Sequence, residues 1–206
     1  MKKVIENFYN RAYKKVLKDK VFENNKVCDI GFGYGSTGEI ILDEGAFFYG
    51  LEPRKDAYEY AVKKYNSSEL YNDILNTEFA EKYCDFFDLI LCFTTLEQVD
   101  DKNTFLFFVK KMIKKNGRIL ISVRNGNSIY KKINGNKNND LTHEEWVKLF
   151  ISCNLKPVNI TAFKRPLIHE LSFNGLKQLA INITEFIVPM RYKYLLTYDL
   201  KTVDSK

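Results

Sequence analysis

Residues 27–38, Val27-Cys28-Asp29-Ile30-Gly31-Phe32-Gly33-Tyr34-Gly35-Ser36-Thr37-Gly38, restrict the fold more than any other stretch of the chain. A short apolar run ends in an acid, turns on alternate glycines and opens a helix, the pattern of a buried strand leading into a tight turn. Glycine lets the backbone take positive φ at little cost and lets a ligand approach with no Cβ in the way. Ser36 followed three residues later by Glu39 is a capping-box pattern, which sets a helix N-terminus just past the loop. Free N–H groups at such an end bind polar parts of a ligand. The arrangement suits a nucleoside-bearing cofactor.

Around this loop strands and helices alternate. Apolar residues Val4, Ile5, Phe8, Ala12, Tyr13, Val16 and Leu17 recur at helical spacing and predict an N-terminal helix within residues 1–24. Strands are expected at 26–31, 46–52, 69–73, 86–93, 118–124 and 155–163, with helices at 37–44, 54–65, 77–83, 102–114 and 143–153. Such alternation predicts a mainly parallel α/β sheet with helices on both faces. Ligands bind such sheets beyond the carboxyl ends of the strands. Asp29, Glu52, Asp73 and Phe93 all fall there. The pattern breaks at 164–191, an apolar segment expected to be helical, before a last strand at 192–203. At 206 residues the chain suits one domain over 1–206, with 25–163 as the cofactor-binding core.

Two cofactor classes fit the glycines. Gly33, Gly35 and Gly38 spell G-x-G-x-x-G, and Glu52 follows at about the dinucleotide-fingerprint distance, so an NAD(P)-dependent oxidoreductase is the alternative. Against it, that motif would start two residues late after the strand, and Asp29 would bring a carboxylate toward a pyrophosphate. A cofactor with a cationic amino-acid end welcomes Asp29. S-adenosyl-L-methionine has such an end.

The chain resembles the class I S-adenosylmethionine-dependent methyltransferases, of the small-molecule type similar to the methyltransferase 11/12-like group. Asp29-Ile30-Gly31-Phe32-Gly33-Tyr34-Gly35 matches the family's first motif, [DE]-x-G-x-G-x-G. Ala46-Phe47-Phe48-Tyr49-Gly50-Leu51-Glu52-Pro53 resembles its second strand and Leu70-Tyr71-Asn72-Asp73-Ile74 its third. Phe87 to Val99 resembles the fourth strand with its "LEH" segment, and Lys115 to Val123 the fifth. The resemblance implies a Rossmann-like, doubly wound, seven-stranded sheet whose last strand is antiparallel. It implies that Asp29, Gly31, Phe32, Gly33 and Gly35 line the donor's amino-acid end, Glu52 and Pro53 its ribose, Asp73 and Ile74 its adenine, and that Phe93 lines the pocket. The product would be S-adenosyl-L-homocysteine. The antiparallel last pair would carry residues 164–191 over the substrate side, where a core-packing insert, a homodimer face and a membrane-surface helix are the competing roles.

The same resemblance bears on the acceptor. Enzymes of this class that methylate DNA amino groups carry an N/D-P-P-Y/F/W segment after the fourth strand, and cytosine-C5 enzymes a Pro-Cys pair. This chain has Cys92-Phe93-Thr94-Thr95-Leu96, so no DNA substrate is expected. A small molecule, a saccharide or a lipid intermediate is the expected acceptor, with a structured RNA or a protein left open. Methyl transfer needs no metal, and none is expected. A hydroxyl or amine acceptor must lose a proton, and only two histidines exist. His169 lies in the expected cover and is the better base candidate. His143 follows Thr142 at a helix start, where a structural role is favoured. Relatives often carry histidine after the fourth strand, but Thr94 and Gln98 stand at those places here. Gln98 can orient a substrate without acting as a base, and a catalytically inactive cofactor-binding protein is a further alternative.

The formal charge of +6 is a mild lysine excess that suits a solvated surface. The four cysteines are isolated in sequence and are expected to be buried thiols in a cytoplasmic protein. No signal peptide and no membrane-spanning run are expected.

Overall fold

The computed structural model describes residues 12–66, 68–128, 140–163 and 195–203. Seven strands form one sheet: β1 (Lys26–Ile30), β2 (Phe47–Leu51), β3 (Glu69–Tyr71), β4 (Phe87–Phe93), β5 (Ile113–Arg124), β6 (Leu155–Phe163) and β7 (Leu195–Thr202). Their order is β3-β2-β1-β4-β5-β7-β6. β1 to β5 pair in parallel, and β7 runs antiparallel to both β5 and β6. Strand order reverses between β1 and β4, and the crevice above that switch point is where such sheets take their ligands.

The central strands are apolar because both of their faces are covered. Along β4 the side chains alternate: Phe87, Ile90 and Cys92 enter one core, and Leu89, Leu91 and Phe93 the other. The first core is closed by Phe105, Leu106 and Met112 of the helix Lys102–Met112 and by Trp146 and Phe150 of the helix His143–Ser152. The second is closed by Val16 and Leu17 of the helical residues 12–17, by Ile41 of the helix Ser36–Asp43 and by Ala61 of the helix Lys55–Lys64. Among the described residues no helix is long and apolar enough to cross a membrane.

Several expectations need correction. Ser36 does not cap its helix: Gly35 is the N-cap, in the left-handed region with φ 76°, and it has no side chain to accept from the first-turn N–H groups. The Tyr65 hydroxyl donates to the Gly35 carbonyl at 2.6 Å, so a distant residue fixes the turn that the Ser36 pattern was expected to fix. β3 stops at Tyr71, which leaves Asp73 two residues beyond it in a turn. β5 begins at Ile113, five residues before the expected start at 118, with its register shifted opposite Phe87 to Leu89. Cys28 and Cys92 are buried, but Cys84 is exposed. The expected insert 164–191, the first residues of the N-terminal helix and the start of the last strand lie outside the described residues.

The capping box does form at Thr142. Its hydroxyl accepts from Glu145 N–H at 3.3 Å, and the Glu145 carboxylate accepts from Thr142 N–H at 2.7 Å. Thr142→Ala is expected to cost about 1 kcal/mol of unfolding free energy. A urea titration with an unchanged midpoint would contradict it.

Candidate active site

A cleft of about 1340 Å³ opens above the β1–β4 switch point. Its floor is the turn after β1. Gly31, Gly33 and Gly35 all have positive φ, as the spaced glycines require. Gly31 also answers to a neighbour, because a Cβ there would run into the Thr95 side chain from the loop after β4. Gly31→Ala should therefore cost about 2 kcal/mol from left-handed backbone and displaced packing together. Thermal melting would read that loss, and an unchanged midpoint would contradict the contact.

Asp29, next to last in β1, is buried with its neighbours, at 2% exposure. The Thr37 hydroxyl donates to its Oδ2, while its Oδ1 has no partner among the described residues. Burial pushes the Asp29 carboxyl up to about 7 against the Thr37 hydrogen bond, and the nearby Glu52 charge adds to the rise. A buried acceptor without a donor is costly, and a cationic ligand group in the cleft would satisfy it. The ammonium of S-adenosylmethionine has that chemistry.

Glu52, at the end of β2, is 4% exposed. Its Oε2 accepts from Gly33 N–H at 2.8 Å, and its Oε1 accepts from the backbone N–H and the Nε of Arg54, each at 3.0 Å. The acid at one strand end thus clamps the glycine loop at the next. Asp73 is exposed in its turn, with Oδ1 accepting from Ile74 N–H at 2.7 Å and Oδ2 from the Asn76 amide at 2.9 Å. Ile74 beside it is 62% exposed and lines the cleft with Pro53. Phe32 lines the cleft from below, edge-on to Phe48.

At the other end, Phe93 stacks on Tyr13 with ring centroids 4.5 Å apart, and both line the cleft. Thr94 follows with φ 55°, a left-handed conformation that a β-branched residue adopts only under constraint. Three bonds hold it there: Thr94 N–H to the Ser122 carbonyl at 2.7 Å, its hydroxyl to the Phe93 carbonyl at 2.7 Å, and the Gln98 amide to the Thr94 carbonyl at 2.7 Å. Strained backbone of this kind concentrates at ligand sites.

Ten residues were expected to hold the donor. Asp29, Gly31, Phe32, Gly33, Glu52, Pro53, Asp73, Ile74 and Phe93 line this cleft, as does Gln98. Gly35 instead caps the helix. His143 stands elsewhere: its Nδ1 lies 2.8 Å from the Tyr198 hydroxyl, with the rings stacked. His169 lies outside the described residues.

Other contributors were not singled out in sequence: Thr37, Arg54, the stacking of Tyr13, the left-handed backbone of Thr94 and a buried charge cluster behind the post-β4 loop. In that cluster Arg124 Nε lies 3.1 Å from Glu97 Oε1, an ion pair without a directed hydrogen bond, and Arg124 also pairs with Asp140 at 3.5 Å. Burial pushes the Glu97 carboxyl up to about 7, against the pull of Arg124. The signal available was a lone acid after Leu96 and a lone arginine closing the apolar strand Ile119 to Val123.

Known proteins carry the same pattern. A family model described as a methyltransferase domain matches residues 2–158. A ubiquinone biosynthesis O-methyltransferase of Glaesserella parasuis is 31% identical over 107 residues, 48% of this chain and 45% of that protein. Its counterpart in Bartonella quintana is 35% identical over 107 residues, 50% and 43% respectively. The chain thus spans less than half the length of these curated relatives. A SAM-dependent methyltransferase from Archaeoglobus fulgidus shares the fold, with a TM-score of 0.70 at 17% identity over 96% of this chain and 94% of that one. This chain belongs to the methyltransferase domain family, whose methyl donor is S-adenosylmethionine.

Proposed function

We propose that the chain moves the methyl group of S-adenosylmethionine to a hydroxyl of a small molecule, a saccharide or a lipid intermediate. The observation that carries this reading is the unpartnered, buried Oδ1 of Asp29, a residue that lines the cleft Glu52 and Asp73 also border. Asp29 would hold the ammonium, Glu52 the ribose, and Asp73 with Ile74 the adenine edge and face.

The donor supplies an activated methyl on a sulfonium, so the C–S bond breaks as the C–O bond forms and S-adenosylhomocysteine leaves. What remains for the protein is alignment and the exclusion of water. Tyr13, Phe93, Val99 and Phe105 give the acceptor end of the cleft apolar walls. Gln98 uses its Nε2 on the Thr94 carbonyl, which leaves its Oε1 as an acceptor for the hydroxyl to be methylated. The names of the curated relatives support oxygen as the accepting atom. His169 is the proposed proton acceptor on sequence grounds alone. His169→Ala should keep cofactor affinity and lower turnover at least about 100-fold, the low end for a lost general base.

The test is transfer of labelled methyl from S-adenosylmethionine to fractions of a metabolite extract. Label recovered as a methyl ether supports the reading. Binding of NADH with no binding of S-adenosylhomocysteine would refute it.

A further inference from the structure

Glu52 already spends most of its hydrogen-bonding capacity inside the protein. An ionised carboxylate offers about four acceptor positions, two on each oxygen. Oε1 takes both the backbone N–H and the Nε of Arg54, and Oε2 takes Gly33 N–H. Oε1 is full, and Oε2 has one position left. A ribose presents two neighbouring hydroxyls, and a carboxylate grips such a diol with one oxygen on each. One hydroxyl would find its oxygen saturated.

Two of the three donors are backbone N–H groups fixed by the turn and by the start of the next helix. The third is the Arg54 side chain, which is 56% exposed against 5% for that of Glu52. It already has a second foothold. Its guanidinium carbon lies 5.5 Å from the centre of the Tyr34 ring, and the Tyr34 hydroxyl donates to Asp56 Oδ2 at 2.6 Å. An aromatic face beside a carboxylate receives a guanidinium well.

We infer that Arg54 sets how strongly the ribose diol is held: its side chain competes for Glu52 Oε1 and yields by turning toward Asp56 while it keeps its place over Tyr34. Arg54 is then a specificity-determining residue that weakens the distinction between ribose and deoxyribose forms of the ligand. The inference rests on the cofactor reading above.

The experiment is calorimetric titration of the full chain and of Arg54→Met with S-adenosylhomocysteine and with its 2′-deoxy and 3′-deoxy analogues. Methionine keeps the stem and removes the donor. S-adenosylhomocysteine should bind the variant about 2- to 5-fold tighter, the upper range set by releasing a half-exposed ion pair. Each deoxy analogue needs only the position that Oε2 already offers, so its affinity should change less than about twofold. Equal tightening of all three ligands would reveal mere loss of positive charge and overturn the inference. Unchanged or weaker binding of S-adenosylhomocysteine by the variant would overturn it as well. If the unaltered chain binds none of the three, the cofactor reading itself fails and this inference falls with it.

Discussion

Asp29→Asn is expected to weaken S-adenosylmethionine and S-adenosylhomocysteine about 10- to 100-fold, the worth of one charge-assisted hydrogen bond in a buried setting. Asparagine preserves shape and still accepts from the Thr37 hydroxyl, but it turns the buried Oδ1 position from an anion into a neutral group. Stability should move the other way. In the ligand-free protein the Asp29 carboxyl is raised to about 7 from its ordinary 3.8, chiefly by burial. A raised carboxyl binds more protons folded than unfolded, so its contribution is fully present below about pH 4 and is lost as pH rises through 7. The asparagine variant lacks that loss and should melt higher than the unaltered chain at pH 8. Cofactor affinity of the unaltered chain should fall below pH 7, by up to about tenfold per unit as Asp29 protonates. In the variant that slope should be absent. Equal pH slopes in the two proteins would remove Asp29 from the binding site.

Arg124→Met carries the largest expected cost in stability, about 3 kcal/mol or more near pH 8, because it strips the cation from a buried acid pair. Glu97 and Asp140 have side chains 2% and 1% exposed, and Arg124 closes the pair at 3.1 and 3.5 Å. The damage should shrink on acidification. Glu97 is raised to about 7 from 4.5 even with Arg124 present, and without it the carboxyl rises further. Stability of the variant is thus retained below about pH 4.5 and lost as pH climbs through that raised value. Denaturant unfolding at pH 5 and pH 8 reads the difference. A penalty independent of pH would show that packing of the Arg124 stem matters and its charge does not. Because Glu97 directly precedes Gln98, a loosened cluster should also raise KM for the acceptor.

The cofactor half of the site was legible because each strand of a parallel sheet ends at one rim, and an acid at the end of an apolar run is conspicuous. Asp29 and Glu52 follow from that rule. So do the two cores, since the unbroken apolar run Leu89 to Phe93 admits only a strand covered on both faces. What stayed hidden depends on contacts between distant residues. Ser36 has the composition of a cap, yet the Tyr65 hydroxyl fixes Gly35 from 30 positions away. Asp73 was assigned to a strand end, but β3 pairs only through Tyr71 and leaves Asp73 to a turn that it stabilises itself. Thr94 has a high strand propensity and sits in left-handed backbone because Ser122 and Gln98 both bind it. His143 drew attention as a titratable group, and Tyr198 on β7 accounts for it.

The most direct test is a crystal structure of the full chain with S-adenosylhomocysteine. The amino group should lie within hydrogen-bonding distance of Asp29 Oδ1, the ribose hydroxyls against Glu52, and the adenine between Asp73 and Ile74. A ligand bound elsewhere, or bound in this cleft with Asp29 Oδ1 still unpaired, would contradict the account.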